Sequence, residues 1–375
     1  MGQAFRSGIY KKQFQYSSFT PTEINKPYRW EDSKIDVLLE DATKNLGALN
    51  AYSQLIPDVD YFIKTHIAKE ATTSSRIEGT QTSLEEAFLS KDEVQPERRD
   101  DWLEVQNYIK AINQAEKNLA KLPLSLRLLN EAHGILLTGA RGKHKGPGEI
   151  RKSQNWIGGS SLKDAAFIPP HPSELPELLS DLEKYWHNDS LNIPHLIKIA
   201  VSHYQIETIH PYQDGNGRLG RLLITLYLLD KKLLERPTLY LSDFFERNRS
   251  SYYDSLMRVR TANDIEQWIK FFLVGVSETA ANSINTFKGI VKLDQANNKK
   301  LVAMGKRAKI GAELLRLLHS HPVVSSKTVS TLLGFTHPAT NNLISKFVDA
   351  GILEETTGYK RNRMFTFHRY LKLFE

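Results

Sequence analysis

The run His210-Pro211-Tyr212-Gln213-Asp214-Gly215-Asn216-Gly217-Arg218-Leu219-Gly220-Arg221 leads straight into Leu222-Leu223-Ile224-Thr225-Leu226-Tyr227-Leu228-Leu229. No other stretch constrains this chain as much. The second part is apolar all round, so as a helix it has to be buried. The first part is then a glycine-rich loop that opens that helix. Such a loop is a ready anion site, because unpaired N–H groups and the helix dipole both point at it. Gly215 and Gly217 let a phosphate approach the backbone closely. Arg218 and Arg221, three apart, share one helix face, and two guanidiniums suit a polyphosphate. His210 has the near-neutral pKa of a general base. Asp214 offers a carboxylate that can hold Mg²⁺ against phosphates. The chemistry implied is phosphoryl or nucleotidyl transfer.

Composition narrows the setting. At 375 residues the chain is long enough for two or three domains with real cores. Charged residues are 25% and aromatics 10%, which argues against wholesale disorder. There is no cysteine, so disulfides, thiol catalysis and Cys-type zinc sites are excluded. No apolar run reaches signal-peptide or membrane-spanning length, so a soluble cytoplasmic protein is expected. From Lys299 to Glu375 there are 13 basic and 5 acidic residues, a net +8 against +7 for the whole chain. A basic end with a near-neutral body points to an acidic partner such as DNA, or to a solvated basic surface.

The polar, Pro-containing first thirty residues read as an extended arm. Val37, Leu38, Leu39, Ala42, Leu46, Leu49 and Leu55 then recur at helical spacing. Helical patterns continue through 61–69, 84–87, 101–119 and from Leu126, with Ser125 as N-cap. Residues 142–172 break the pattern. Short extended pieces at 151–157 and 166–168, around Gly158-Gly159-Ser160, predict a β-hairpin. Helices resume at 173–186, 193–209, 252–260 and 265–285. At the end, helices are expected at 309–318, 325–333 and 337–350, then two strands at 351–355 and 364–367.

The loop resembles the signature of the Fic family, HPFx(D/E)GNGRxxR, with Tyr212 where the family usually has Phe. The resemblance implies a protein adenylyltransferase that moves AMP from ATP, with Mg²⁺, onto a Ser, Thr or Tyr hydroxyl of a target protein. His210 would be the base and Asp214 the magnesium ligand. Gly215, Asn216 and Gly217 would hold the α-phosphate, with Asn216 donating its amide. Arg218 would meet the β-phosphate and Arg221 the γ-phosphate. The intact Gly215 and Gly217 favour AMP over phosphate transfer. Residues 148–172, with Ile157 and Gly158, resemble the family's flap, which holds the target by main-chain pairing. Tyr252 and Tyr253 match its paired aromatics near adenine; adjacent on a helix, at most one touches the base. Ser74-Ser75-Arg76-Ile77-Glu78-Gly79 resembles the inhibitory pattern (S/T)xxxE(G/N). Ser74 and Glu78 are one helical turn apart, Gly79 suits a C-cap, and Glu78 would pair with Arg221.

The fold class expected is mainly α: a Fic-type helical bundle with a small β-hairpin flap, plus a C-terminal winged-helix domain. Residues 1–110 would be the N-terminal helical region with the inhibitory helix, 111–290 the catalytic core and 300–375 the winged helix. In that last part Thr336, His337, Thr340, Asn341, Asn342 and Lys346 are groove-facing candidates for DNA, and Lys360, Arg361 and Arg363 for its phosphates. The competing use of such a module is dimerisation or target docking. Self-modification is also expected. A different class of reading is a DNA-binding regulator whose Fic core senses nucleotide; within the enzyme class, another phospho-donor or AMP removal stays open.

Overall fold

The computed structural model describes residues 4–56, 59–139, 141–142, 144–359 and 361–375. Strands β1 (Gly8–Lys12) and β2 (Ser17–Pro21) open the chain as an antiparallel hairpin, where an extended arm was expected. Phe19 is buried against Phe167, and its N–H donates to the Ile168 carbonyl at 2.9 Å. The hairpin is therefore laid on the segment expected to be the flap.

Helices α1 (Lys34–Leu55), α2 (Val59–Ile77), α3 (Arg99–Leu119) and α4 (Leu126–Leu136) follow. Ser125 caps α4, its side chain accepting from Leu128 N–H at 3.3 Å. α2 is unusual in burying polar side chains, among them Thr65, His66, Glu70, Ser74 and Ser75. It packs on α3 and reaches the core of the molecule with its last turn.

Next come α5 (Leu175–His187), α6 (His195–Ile209), α7 (Asn216–Asp230), α8 (Ser242–Arg247) and α9 (Arg249–Ala262). Every residue of α6 from Leu196 to Ile209 is buried, and α7 is buried from Arg218 to Leu228. These two helices pack on each other at the centre, and residues 210–215 join them. The signature loop is thus fixed between two helices that water does not reach. α10 (Ile265–Val302) starts at Asp264, which accepts from Gln267 N–H at 3.1 Å. It was expected to stop near Asn285 but runs unbroken to Val302 alongside α1.

The C-terminal part contains α11 (Ala308–Ser320), β3 (Val323–Ser325), α12 (Ser326–Leu333), α13 (His337–Asp349), β4 (Glu354–Glu355), β5 (Met364–Thr366) and α14 (His368–Leu371). The three strands form an antiparallel sheet of order β3-β5-β4. Ser325 caps α12 through Thr328 N–H at 3.2 Å. This part packs on α2: Tyr370 donates to Thr65 Oγ1 at 3.2 Å and to the His319 carbonyl at 3.0 Å. Among the described residues no helix is long and apolar enough to cross a membrane.

Candidate active site

The site is built where α6 ends and α7 begins. α6 closes on His210, which takes a left-handed conformation (φ 49°), and α7 opens on Gly215 (φ 78°). The first α7 N–H groups lie before the helix's own hydrogen-bonding register, the arrangement that an anion site at a helix start needs. Gly215 N–H is turned to the Asp214 carboxylate at 2.6 Å. Tyr212 lies beneath the loop, buried, stacked on His133 with 3.9 Å between centroids. Its hydroxyl, the difference from the usual Phe, donates to Asn130 Oδ1 at 2.7 Å.

His210 is held by its main chain. Its carbonyl accepts from Arg151 Nε at 2.9 Å and from Asn155 Nδ2 at 3.2 Å. Its Nδ1 is buried with no hydrogen-bond partner. Burial, reinforced by the charge of Arg260, pushes the imidazole down to about 4, so it is neutral at physiological pH. A neutral imidazole is what a general base requires.

The two signature arginines are both engaged by carboxylates from the N-terminal region. Arg221 Nη2 meets Glu78 Oε1 at 2.7 Å, and Arg221 also donates to the Ser74 hydroxyl and the Ser74 carbonyl, each at 2.9 Å. Burial alone would raise Glu78, but the charge and hydrogen bond of Arg221 outweigh it and hold the carboxyl below its usual value. Ser74 and Glu78 therefore act from one face of α2, as their spacing predicts. Gly79 follows with φ 107°, and Thr80 N–H closes back on the Ser75 carbonyl at 3.2 Å, a glycine-dependent helix end. A Cβ built on Gly217 would run into the Glu78 carboxylate oxygen, so this glycine makes room for Glu78.

Arg218 is 4% exposed and pairs with Glu104 of α3 at 3.1 Å, while Asp214 stays 3.7 Å away. The Asp214 side chain is 46% exposed at the loop surface. A half-exposed carboxylate beside phosphate-binding N–H groups fits the manner in which magnesium is held, by one protein oxygen plus phosphates and water.

Other expected residues are placed differently. The Asn216 carboxamide is buried and committed to the Tyr212 main chain, accepting from its N–H at 2.9 Å and donating to its carbonyl at 2.8 Å. It braces the loop, and its amide is not turned outward as a phosphate donor. Tyr252 is a core residue: its ring stacks on Phe245 at 4.4 Å and its hydroxyl meets His203 at 2.9 Å. Tyr253 is 42% exposed with its ring 5.1 Å from that of Tyr252, and burial and the Glu78 charge raise its hydroxyl. The flap pairs only at Ile157 and Phe167, one antiparallel bridge in place of two strands, and Gly158 (φ 68°) turns the chain there. Thr340 is fully buried and faces the core of its module, whereas Thr336, His337, Asn341 and Asn342 are exposed and Lys346 is half-buried. Asn342 accepts from Arg307. Arg361 and Arg363 are exposed, and Lys360 lies outside the described residues.

Three groups were not singled out from sequence. Glu104 and Asn155 lie far along the chain from Arg218 and His210. Glu207, one turn before His210, is buried against Gly220, and burial pushes its carboxyl up to about 7. α6 carries other polar residues, Lys198, His203 and Gln205 among them, so nothing in the sequence set Glu207 apart.

Two family descriptions match the chain: Fic/DOC family N-terminal over residues 37–117 and Fic/DOC family over residues 123–228. Protein adenylyltransferase Fic of Aedes aegypti is 32% identical over 125 residues, 33% of this chain and 22% of that protein. The protein of the same name from Drosophila grimshawi is 30% identical over 155 residues, 40% of this chain and 28% of the relative. The matched stretch thus spans about a quarter of these relatives' length. A Fic family protein from Desulfovibrio desulfuricans shares the fold across 91% of this chain and 98% of its own, with a TM-score of 0.57 at 21% identity. A Fic domain containing signaling protein from Bacteroides thetaiotaomicron gives a TM-score of 0.55 over 67% of this chain and 97% of its own, at 17% identity.

Proposed function

For a chain that carries a Fic domain behind a Fic N-terminal region, we propose a protein adenylyltransferase that uses MgATP and is held off by its own Glu78. The observation that carries this reading is the contact of Glu78 with Arg221 at 2.7 Å inside a complete signature loop. In the resting state the Arg221 guanidinium is spent on Glu78 and Ser74. A γ-phosphate would have to displace Glu78 before it could use Arg221.

Once Glu78 leaves, the geometry supports one reaction. The target hydroxyl gives its proton to the neutral His210 imidazole. Its oxygen bonds to the α-phosphorus of ATP, the bond from that phosphorus to the β-bridging oxygen breaks, and pyrophosphate departs. The N–H groups at the start of α7 would receive the α-phosphate charge. Arg218 would take the β-phosphate and Arg221 the γ-phosphate. When bound, Mg²⁺ supplies charge neutralisation across the phosphates, and Asp214 is the residue that would hold it. The flap, tied to the His210 carbonyl by Asn155 and bridged at Ile157 and Phe167, would offer its main chain for pairing with a target. Wild type and Glu78→Gly, incubated with labelled ATP, test the brake: labelling is expected to rise in the mutant, and an unchanged level would rule the brake out.

A second activity of the C-terminal part is favoured by one observation. His337, Asn341, Arg361 and Arg363 line one open cleft, whose wall also carries Asp92 and Glu93 of the N-terminal region. The order of helices and strands there supports a winged helix, with α13 as the element that would enter a DNA groove. A gel shift that weakens steeply with salt would support nucleic-acid binding, and none at low salt would leave docking or homodimer formation as the use of this module.

A further inference from the structure

The N-terminal region supplies a carboxylate to each signature arginine, and only the Glu78 pair has been given a role above. The second pair is differently made. Glu104 Oε2 takes Arg218 Nη1 at 3.1 Å, while its other oxygen accepts from Arg141 Nη1 at 3.2 Å. Arg141 is anchored in turn on Asp101 at 2.7 Å. The charge of Glu104 is therefore shared between two arginines. Arg218 is not neutralised by it, and its Nε stays buried with no partner. α3 also holds Arg218 from below, since Tyr108, one turn on from Glu104, donates to the Arg218 carbonyl at 3.3 Å.

The nearest other carboxylate is Asp214, four residues back on the same helix start, at 3.7 Å from Nη2. That gap is too long for a hydrogen bond. A buried guanidinium that lost Glu104 would close it, because an unpaired buried charge is costly and i,i+4 partners are within reach. Asp214 would then be occupied by a cation of the protein itself. Accordingly we infer that Glu104 is a positioning residue: it draws Arg218 away from Asp214 and so keeps that carboxylate open for the divalent cation that accompanies the nucleotide. This inference rests on the proposed adenylyltransferase reading.

The test reads cation binding, apart from turnover. Nucleotide-free Glu78→Gly protein, in which no phosphate pairs Arg218, is titrated with the Mn²⁺ complex of α,β-methylene ATP, which cannot be cleaved between its α and β phosphates, and bound Mn²⁺ is read by electron paramagnetic resonance. Closing a gap of this size at an effective dielectric of about 20 corresponds to roughly tenfold in affinity. Adding Glu104→Ala is therefore expected to weaken Mn²⁺ about tenfold. Glu104→Gln keeps the acceptor without the charge and should fall between, and it serves if the alanine variant folds poorly. Arg141→Ala is the control that separates positioning from mere support. It leaves Glu104 wholly to Arg218, so Mn²⁺ should bind at least as tightly as in the parent. Equal Mn²⁺ affinity in parent and Glu104→Ala, or equal weakening by Glu104→Ala and Arg141→Ala, would overturn the inference. A parent that binds neither nucleotide nor Mn²⁺ would instead overturn the adenylyltransferase reading and the inference with it.

Discussion

Gly217 sits where the proposed phosphate site and the proposed brake meet, because the space its missing side chain leaves is filled by the Glu78 carboxylate. Gly217→Ala should push Glu78 off Arg221, at a cost of about 1–3 kcal/mol for the overlap. In a Glu78→Gly background the overlap is gone, so the same substitution should cost much less. Thermal unfolding of the four proteins of this cycle reads the coupling; purely additive effects would mean that Gly217 and Glu78 do not contend for one space. At this scale the sequence was legible where a residue falls inside a known motif. Ser74, Glu78 and Gly79 stood out through resemblance to the family's inhibitory pattern, with helical spacing in support, and Arg218 and Arg221 through the signature. The Asn216 carboxamide bonds the Tyr212 main chain four residues back, a local bond that competes with any ligand. Glu104 belongs to no motif, and its contact spans 114 residues, so no pattern pointed to it.

At the scale of elements, the end of α6 sets the pH behaviour. His210 is depressed from 6.5 to about 4 by burial and Arg260, so the folded protein resists protonating it. The acid limb of transfer by Glu78→Gly protein should therefore lie well below pH 6; a limb near 6.5 would show an ordinary, solvated histidine. Glu207, on the preceding turn, works in the opposite sense. Its carboxyl is raised from 4.5 to about 7 by burial, so stability is lost as pH rises from about 4.5 through 7. Glu207→Gln should raise the melting temperature more at pH 8 than at pH 5, and an equal gain at both would remove burial as the cause. Two elements departed from expectation for physical reasons. α10 runs past Asn285, and within the added length Gly289 leaves the space against which Leu373 packs. The flap strands shrink to one bridge because Arg151 and Asn155 fasten the flap to the signature loop instead: Arg151 N–H bonds the Pro211 carbonyl at 2.9 Å and Asn155 the Tyr212 carbonyl at 2.8 Å.

Across the whole molecule, α2 connects the brake at one end to the C-terminal part at the other. Near its start Thr65 donates to the His319 carbonyl at 3.2 Å and accepts from Tyr370; Ser74 in its last turn and Glu78 just past its end hold Arg221. Tyr370→Phe removes the hydroxyl shared between Thr65 and the His319 carbonyl and should cost about 1 kcal/mol. It should also speed hydrogen exchange along α2 and raise basal labelling; exchange that quickens only in α11–α14 would uncouple the two ends. No spacing in the sequence announces this contact, since the two surfaces are some three hundred residues apart. The proposed AMP transfer uses ATP, has His210 as its base and is restrained by Glu78. Its most direct test is the intact mass of Glu78→Gly protein after incubation with MgATP, beside Glu78→Gly/His210→Ala. The account predicts a gain of one AMP only where His210 is present. No gain, a gain in both proteins, or a gain of one phosphate would contradict it.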